Sequence, residues 1–181
     1  RYGKRYIQQH FPKYKGQLNL SHVSVQEKGD NPQIKKGFFQ ICSCSYLVPL
    51  KRIDLVPEIL QHLDFEVVWT HFGDGPDEEK LMKKVAHLPP NIRFEYRGFT
   101  PNKDLIQFYR ENPVDLFIHL SEMEGGAPVA IQEACSFGIP AIGADADGTP
   151  EIVNAQTGFL IPKNFDPEYV AEIIQSYHEN E

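Results

Sequence analysis

The sequence predicts an α/β fold built on one doubly wound parallel sheet. Short, nearly uninterrupted apolar runs alternate with amphipathic helical stretches about five times from Gly37 onward. The first of these runs, Phe38 to Cys44, is mostly apolar, as befits a strand covered on both faces, while Ile92 to Tyr96 alternates. Each run also ends in a cluster of small and polar residues, where a chain turns from strand to helix. Such an alternation gives parallel strands joined by right-handed crossovers.

Residues 1–21 are basic and aromatic, with a short helix expected over residues 4–10 and stopped by Pro12. Residues 26–36, with Gly29, Asp30, Asn31 and Pro32, read as a polar loop. The sheet domain is assigned to residues 37–181, and residues 1–36 to a linker and the tail of a preceding domain. The first residue is Arg1 and the last four are the charged stretch His178 to Glu181, so the expectation is a segment of a longer protein.

Phe38 to Cys44 gives the first strand, and Asp54 to Leu63 a helix with Leu55, Ile59, Leu60 and Leu63 on one face. Phe65 to Phe72 is the second strand, followed by the turn Gly73-Asp74-Gly75-Pro76 and a helix carrying Leu81, Met82 and Val85. Ile92 to Tyr96 is the third strand. Its helix has Pro101 near the start, where a missing N–H does no harm, and stops at Asn112-Pro113. Val114 to Leu120 is the fourth strand, and Val129 to Phe137 a helix ended by Gly138. Ala141 to Ala144, a short helix at Pro150 to Val153, and a strand at Phe159 to Ile161 follow. Asp166 caps the last helix with Pro167 at its first position.

Composition narrows the function. With 41% hydrophobic and 24% charged residues the chain is an ordinary globular domain, not a disordered or fibrous one. A net charge of −7 argues against broad binding of nucleic acid or anionic membranes, which needs a dominant basic surface. Cys42, Cys44 and Cys135 are an odd, sparse set that suits a reducing compartment and buried thiols better than a disulfide framework. No apolar run approaches the roughly 20 residues of a membrane span.

In a doubly wound sheet, ligands sit outside the carboxyl ends of the strands, at the switch in strand order. The loops there are Ser45 to Arg52, Gly73 to Pro76, Gly98-Phe99, Ser121 to Pro128 and Asp145 to Glu151. Gly125 and Gly126 would let backbone approach a ligand, and the following helix start offers free N–H groups that favour an anion such as a diphosphate. Lys51, with Arg52 beside it, would supply positive charge, or both cations are a solvated helix start. Glu124 and Glu133 are either carboxylates facing the pocket, where each could hold a vicinal diol, or surface glutamates. Glu151 reads equally as a helix start.

The stretch Gly126-Ala-Pro-Val-Ala-Ile-Gln-Glu133-Ala-Cys-Ser-Phe-Gly138-Ile-Pro140, continued by Gly148-Thr-Pro-Glu151-Ile-Val153, resembles the signature of the glycosyltransferase group 1 family. Ser45 to Lys51, Gly73 to Pro76 and Gly98-Phe99 match its other landmarks in order, so the resemblance covers residues 37 to about 175. It implies a Rossmann-like domain, the C-terminal half of a GT-B fold, preceded in such enzymes by an acceptor-binding domain. It also implies transfer of a hexose from a nucleoside diphosphate sugar to a glycan or lipid-linked acceptor in polysaccharide biosynthesis, with anomeric configuration retained. No cofactor and no metal is implied, although Asp145-Ala146-Asp147 has the spelling of a metal loop. The implied setting is cytoplasmic, or peripheral at the inner membrane.

By that resemblance Glu133 would bind the ribose hydroxyls and Lys51 the diphosphate, with Tyr46 and Gly73 beside them. Gly98 and Phe99 would lie against the base, mainly by backbone. Gly125, Gly126, Ala127, Pro128 and Val129 would line the phosphates and sugar, and Glu124 would orient the sugar. Lys51 and the amides would stabilise charge developing on the leaving diphosphate. The sequence departs from the family pattern at three points. Eight residues separate Glu124 from Glu133 where the family has seven, so either a bulge brings Glu124 into place or that role is weakened. Tyr46 stands where many members have arginine, and Asp147 where glycine is common. Without the acceptor domain, this segment alone is expected to be inactive. Two other readings are a nucleotide-sugar epimerase using His119 with an acidic partner, and a non-catalytic nucleotide- or partner-binding domain.

Overall fold

A computed structural model describes residues 2–19, 24–26 and 28–180. The elements are α1 (Tyr2–His10), β1 (Phe39–Cys44), α2 (Val56–Leu60), β2 (Val67–Phe72), α3 (Glu78–Val85), β3 (Ile92–Tyr96), α4 (Asn102–Glu111), β4 (Leu116–His119), α5 (Val129–Cys135), β5 (Ala141–Ala144), β6 (Gly158–Ile161) and α6 (Pro167–Glu179). The six strands form one sheet in the order β3-β2-β1-β4-β5-β6, and all neighbours are parallel. The order reverses between β1 and β4. Their carboxyl ends, at Cys44 and His119, flank the switch point where ligands bind in such sheets.

Side chains alternate across the sheet, so each of the four inner strands feeds two cores, while the edge strands β3 and β6 feed one. Ile41, Trp69, Leu116 and Ile118 pack with α2, α3 and α6 on one face, while Cys42, Phe72 and Phe117 pack with α4 and α5 on the other. Burial on both sides explains why the inner strands read as mostly apolar runs, whereas the edge strand β3 alternates. Among the polar residues that interrupt these runs, Gln40 has its amide satisfied inside the sheet by Thr70 Oγ1 at 2.9 Å and the Val68 carbonyl at 3.1 Å. Gly138, at φ +75°, ends α5, and the Ile139 amide returns to the Ala134 carbonyl. Asp166 accepts the Glu168 amide at the start of α6.

Two boundaries and the environment of Asn31 differ from the sequence reading for identifiable reasons. The helix expected over residues 54–63 splits into a turn at Ile53–Leu55 and the five-residue α2, because Pro57 lacks the N–H that a continuous helix needs there. The fourth strand starts at Leu116, because the Val114 amide is taken by Asn31 Oδ1 at 2.7 Å. Asn31 was read as part of a polar loop, yet it is only 4% exposed. Its side-chain amide donates to the carbonyls of Tyr109 and Asn112 at 2.6 and 2.9 Å, fastening the segment before β1 to the end of α4. Among the described residues, no helix is long and apolar enough to cross a membrane.

Candidate functional site

The loops at the carboxyl ends of β1, β2 and β3 are joined edge to edge by backbone. The Leu47 amide donates to the Asp74 carbonyl at 2.7 Å, and the Gly73 amide to the Gly98 carbonyl at 2.7 Å. Gly73, at φ +124°, has no room for a side chain, since an added Cβ would lie 2.0 Å from the Ser45 carbonyl oxygen. Gly98 also accepts the Thr100 hydroxyl at 3.1 Å. Both lone pairs of its carbonyl are thus used, and a backbone contact to a base would fall to Phe99. Phe99 is 75% exposed, and Tyr46, after β1, is 57% exposed.

Beneath this wall, Ser43, Trp69 and His71 form a buried chain. Trp69 Nε1 donates to Ser43 Oγ at 2.9 Å, and Ser43 Oγ lies 2.8 Å from His71 Nδ1. His71 Nε2 and Ser45 Oγ are buried without partners among the described residues. Burial lowers the His71 imidazole to about 4, against an opposing hydrogen bond with the Ser45 backbone.

Across the switch point, Glu124 is the hub. Its Oε1 accepts from Lys51 Nζ and lies 2.9 Å from His119 Nε2, joining the loop after β1 to the end of β4. Burial alone would raise the Glu124 carboxyl, but the hydrogen bonds from His119 and Lys51 outweigh it and draw it down to about 2. The Glu124 amide donates to Asp147 Oδ2 at 2.7 Å, tying in the loop after β5. Asp147 itself is left-handed, at φ 45°, the conformation that explains why glycine suits this position. Gly148 packs against the backbone of Gly126 and Ala127, where an added Cβ would meet atoms at 2.3 and 2.4 Å. Gly125 and Gly126 are open, with nothing within 4 Å of an added Cβ. The first amides of α5, from Val129, have no partner within the helix by construction.

Glu133 projects from α5 and is 7% exposed. Its Oε1 accepts from Asn102 Nδ2 at 2.8 Å and lies 3.6 Å from Lys28 Nζ. Cys44 lies near it, its thiol pushed up to about 11 by burial and then by the Glu133 charge. Burial also raises Cys135 to about 11 and Cys42 higher still, so none of the three is poised as a thiolate.

The fold thus brings Lys51 and Glu124 into contact and sets Gly73 and Gly98 side by side. Arg52 belongs elsewhere. Left-handed at φ 51°, it sends Nε to the Leu120 carbonyl at 2.6 Å and Nη1 to the Lys163 carbonyl at 2.8 Å, so it braces the loops instead of joining Lys51 at the rim. His119 is a core residue at 4% exposure and a partner of Glu124 at once. Sequence reasoning missed Asn102, Lys28 and the bracing role of Asp147. Only the left-handed preference of Asp over most residues hinted at the last.

The profile of the family described as "Glycosyl transferases group 1" matches residues 24–181. The amylovoran biosynthesis glycosyltransferase AmsK of Erwinia amylovora is 24% identical over 167 residues, which are 87% of this chain and 41% of AmsK. A putative colanic acid biosynthesis glycosyltransferase, WcaL of Salmonella typhimurium, is 31% identical over 96 residues, 51% of this chain and 24% of WcaL. Among solved structures, the pneumococcal O-GlcNAc transferase GtfA in complex with UDP and GlcNAc superposes with a TM-score of 0.74 at 22% identity, over 98% of this chain and 37% of GtfA. The lipopolysaccharide outer core galactosyltransferase WaaB superposes with 0.71 at 20% identity, over 87% and 45% of the two chains. These likenesses give the fold, a Rossmann-like half of the GT-B arrangement. The chain spans less than half the length of each of these relatives.

Proposed function

The chain belongs to the group 1 glycosyltransferases, and on that premise we propose that it is the donor-binding half of a retaining hexosyltransferase. Its donor is a nucleoside diphosphate sugar, and its acceptor a glycan or lipid-linked sugar in polysaccharide biosynthesis. Transfer needs the acceptor-binding half, and the chain alone is inactive. The cytoplasm, or the inner face of a membrane, is where such a donor and acceptor meet.

One observation carries the reading: Lys51, Glu124 and His119 converge at the sheet's switch point, beneath open glycines and the free amides of α5. The diphosphate takes the Lys51 ammonium from Glu124, since two negative charges outbid one for the same cation. Released from Lys51, Glu124 keeps His119 and turns an oxygen to the sugar hydroxyls. Its contact with Lys51 favours the first of the two spacing alternatives, in which the extra residue is taken up in the loop. As the glycosidic bond to the diphosphate breaks, the leaving oxygen gains charge, and Lys51 with the amides of Gly126, Ala127 and Val129 stabilises it. Nothing in this sequence of events calls on a metal. Support for a diphosphate donor comes from relatives crystallised with UDP, among them HepE of Anabaena, 23% identical with a TM-score of 0.68 over 80% of this chain and 40% of HepE.

The His119–Glu124 pair at 2.9 Å is also what an epimerase would need, and gives that second reading its one specific support. The two part on a simple assay. A transferase consumes donor only with an acceptor and its partner half, whereas an epimerase converts one sugar nucleotide to another with neither. Titration calorimetry with UDP, GDP and their sugars tests binding itself: the expected result is saturable binding abolished or strongly weakened by Lys51→Ala. Equal affinity in the variant removes Lys51 from the site, and no nucleotide binding in the unaltered chain rejects the reading.

A further inference from the structure

We propose that Asn102 and Lys28 are positioning residues for Glu133, and that together they set the preference of this site for ribonucleotides. The inference rests on the donor-site reading above and concerns how its ribose carboxylate is held. Asn102 opens α4, and Lys28 lies before β1, so the two reach α5 from different parts of the chain. Both address the same oxygen, Glu133 Oε1, Asn102 by a 2.8 Å hydrogen bond and Lys28 as an ion pair at 3.6 Å. Oε2 has no such partner among the described residues.

That division of the carboxylate has two physical consequences. With Oε1 fixed, the plane of the carboxylate cannot swing, and Oε2, with two lone pairs, is the atom left for adjacent hydroxyls. The Lys28 ammonium also cancels charge that would otherwise repel a diphosphate bound on the same rim. Lys28 is anchored close by. Asn31, three residues after Lys28, is bolted to the core by hydrogen bonds to the Tyr109 and Asn112 carbonyls and from the Val114 amide, and its own amide reaches the Phe137 carbonyl at 2.9 Å. The Ser136 hydroxyl meanwhile donates to the Glu133 carbonyl at 2.7 Å, fixing the backbone from which the carboxylate extends. A nearly buried carboxylate with one oxygen tied and one presented is arranged for a ligand that brings hydroxyl donors.

The test compares UDP and GDP with their 2′,3′-dideoxy forms, and with inorganic pyrophosphate, by calorimetry on the chain. Asn102→Ala is expected to weaken ribonucleotide binding about tenfold, the scale of a lost charge-assisted hydrogen bond, and to leave dideoxynucleotide and pyrophosphate binding unchanged. Lys28→Ala is expected to narrow the same ribo-to-dideoxy ratio by a smaller factor, and Lys28→Arg to restore it. An unchanged ratio in both alanine variants overturns the proposal, as does an Asn102→Ala loss shared equally by pyrophosphate, which would mark a merely structural role. So does tighter ribonucleotide binding in Lys28→Ala, which would make the ammonium a competitor for the carboxylate. Glu133→Ala separates the two levels of the argument. If it narrows the ratio and the Asn102 and Lys28 variants do not, the ribose role of Glu133 survives and the positioning role falls. If it too leaves the ratio unchanged, both fall.

Discussion

The two sides of the carboxyl rim are held together by different means. On the β1–β2–β3 side the loops are locked by backbone, with Leu47 bonded to Asp74 and Gly73 to Gly98, and with glycines packed too tightly for any side chain. On the β4–β5 side Gly148 is packed as closely, but Gly125 and Gly126 have open space, and the loop they sit in is held largely by polar side chains meeting at Glu124: Lys51, His119 and Asp147. A backbone lock gives a fixed wall that cannot answer to a ligand. A cluster of charges can exchange partners, and on the proposed reading an incoming diphosphate would offer the exchange. The β1–β2–β3 side, proposed to meet the base, is therefore a template, and the β4–β5 side, proposed to meet phosphate and sugar, a responsive one.

The sharpest way to break this contrast is to add the same methyl group to each side. Gly73→Ala puts a Cβ 2.0 Å from the Ser45 oxygen at a φ of +124°, and is expected to cost about 3 kcal/mol or more. Gly125→Ala is expected to stay within about 0.5 kcal/mol, as surface changes usually do. Urea unfolding midpoints of the two variants measure the difference, and similar values would mean the wall is no more rigid than the loop.

The two sides should also titrate apart. His71, under the wall, is held at about 4 by burial, whereas the unfolded chain takes up that proton near 6.5. Its contribution to stability is complete above pH 6.5 and is lost as pH falls from there towards 4, by roughly 3 kcal/mol in all. Glu124, on the responsive side, is lowered from 4.5 to about 2, so its contribution persists down to about pH 4.5 and is lost below it. His71→Asn should flatten the stability profile between pH 4 and 6.5, and Glu124→Gln only below 4.5. A single merged transition unaffected by His71→Asn would contradict the separation.

The same division governs what the sequence made legible. The template side rests on strand pattern and on glycines at turn positions, and both are local signals. The order of landmarks from Ser45 to Pro76 and on to Gly98 could therefore be read directly. The responsive side depends on which side chain reaches which. Arg52 and Lys51 are adjacent and look alike, yet a left-handed residue at 52 turns one of them away to Leu120 and Lys163. Asn31 looked like loop filler because its partners lie 78 to 83 residues away. His119, which enters the sequence reading as an epimerase histidine, is a core residue, but a side chain ending a strand also has a tip, and this tip meets Glu124.

On the responsive side, removing the cation should affect binding more than folding. Lys51→Met keeps the apolar stem and deletes the charge, and Glu124 retains His119 and the amide bond to Asp147. UDP or GDP affinity is expected to fall about tenfold, near 1.4 kcal/mol, with a smaller change in unfolding free energy. A variant that lost as much stability as affinity would show the Lys51–Glu124 contact to be structural, and the two sides of the rim to be alike.

The finest test is at Asp147, where a template-like feature, a left-handed backbone, coexists with a responsive one, a side-chain bond to the Glu124 amide. Asp147→Gly removes the bond, worth about 1 kcal/mol, and relieves left-handed strain of about the same size, while adding a few tenths of backbone entropy to the unfolded chain. The net change is expected within about 1 kcal/mol. Asp147→Ala loses the bond and keeps the strain, so it should be the less stable of the two by about 1 kcal/mol. The comparison between these variants isolates the backbone, and sugar-nucleotide affinity relative to plain nucleotide isolates the side chain, because only the sugar would meet a Glu124 carboxylate whose main chain has come loose. If the glycine variant binds the sugar nucleotide as tightly as the parent chain does, Asp147 shapes the turn and leaves Glu124 to be placed by Lys51 and His119 alone.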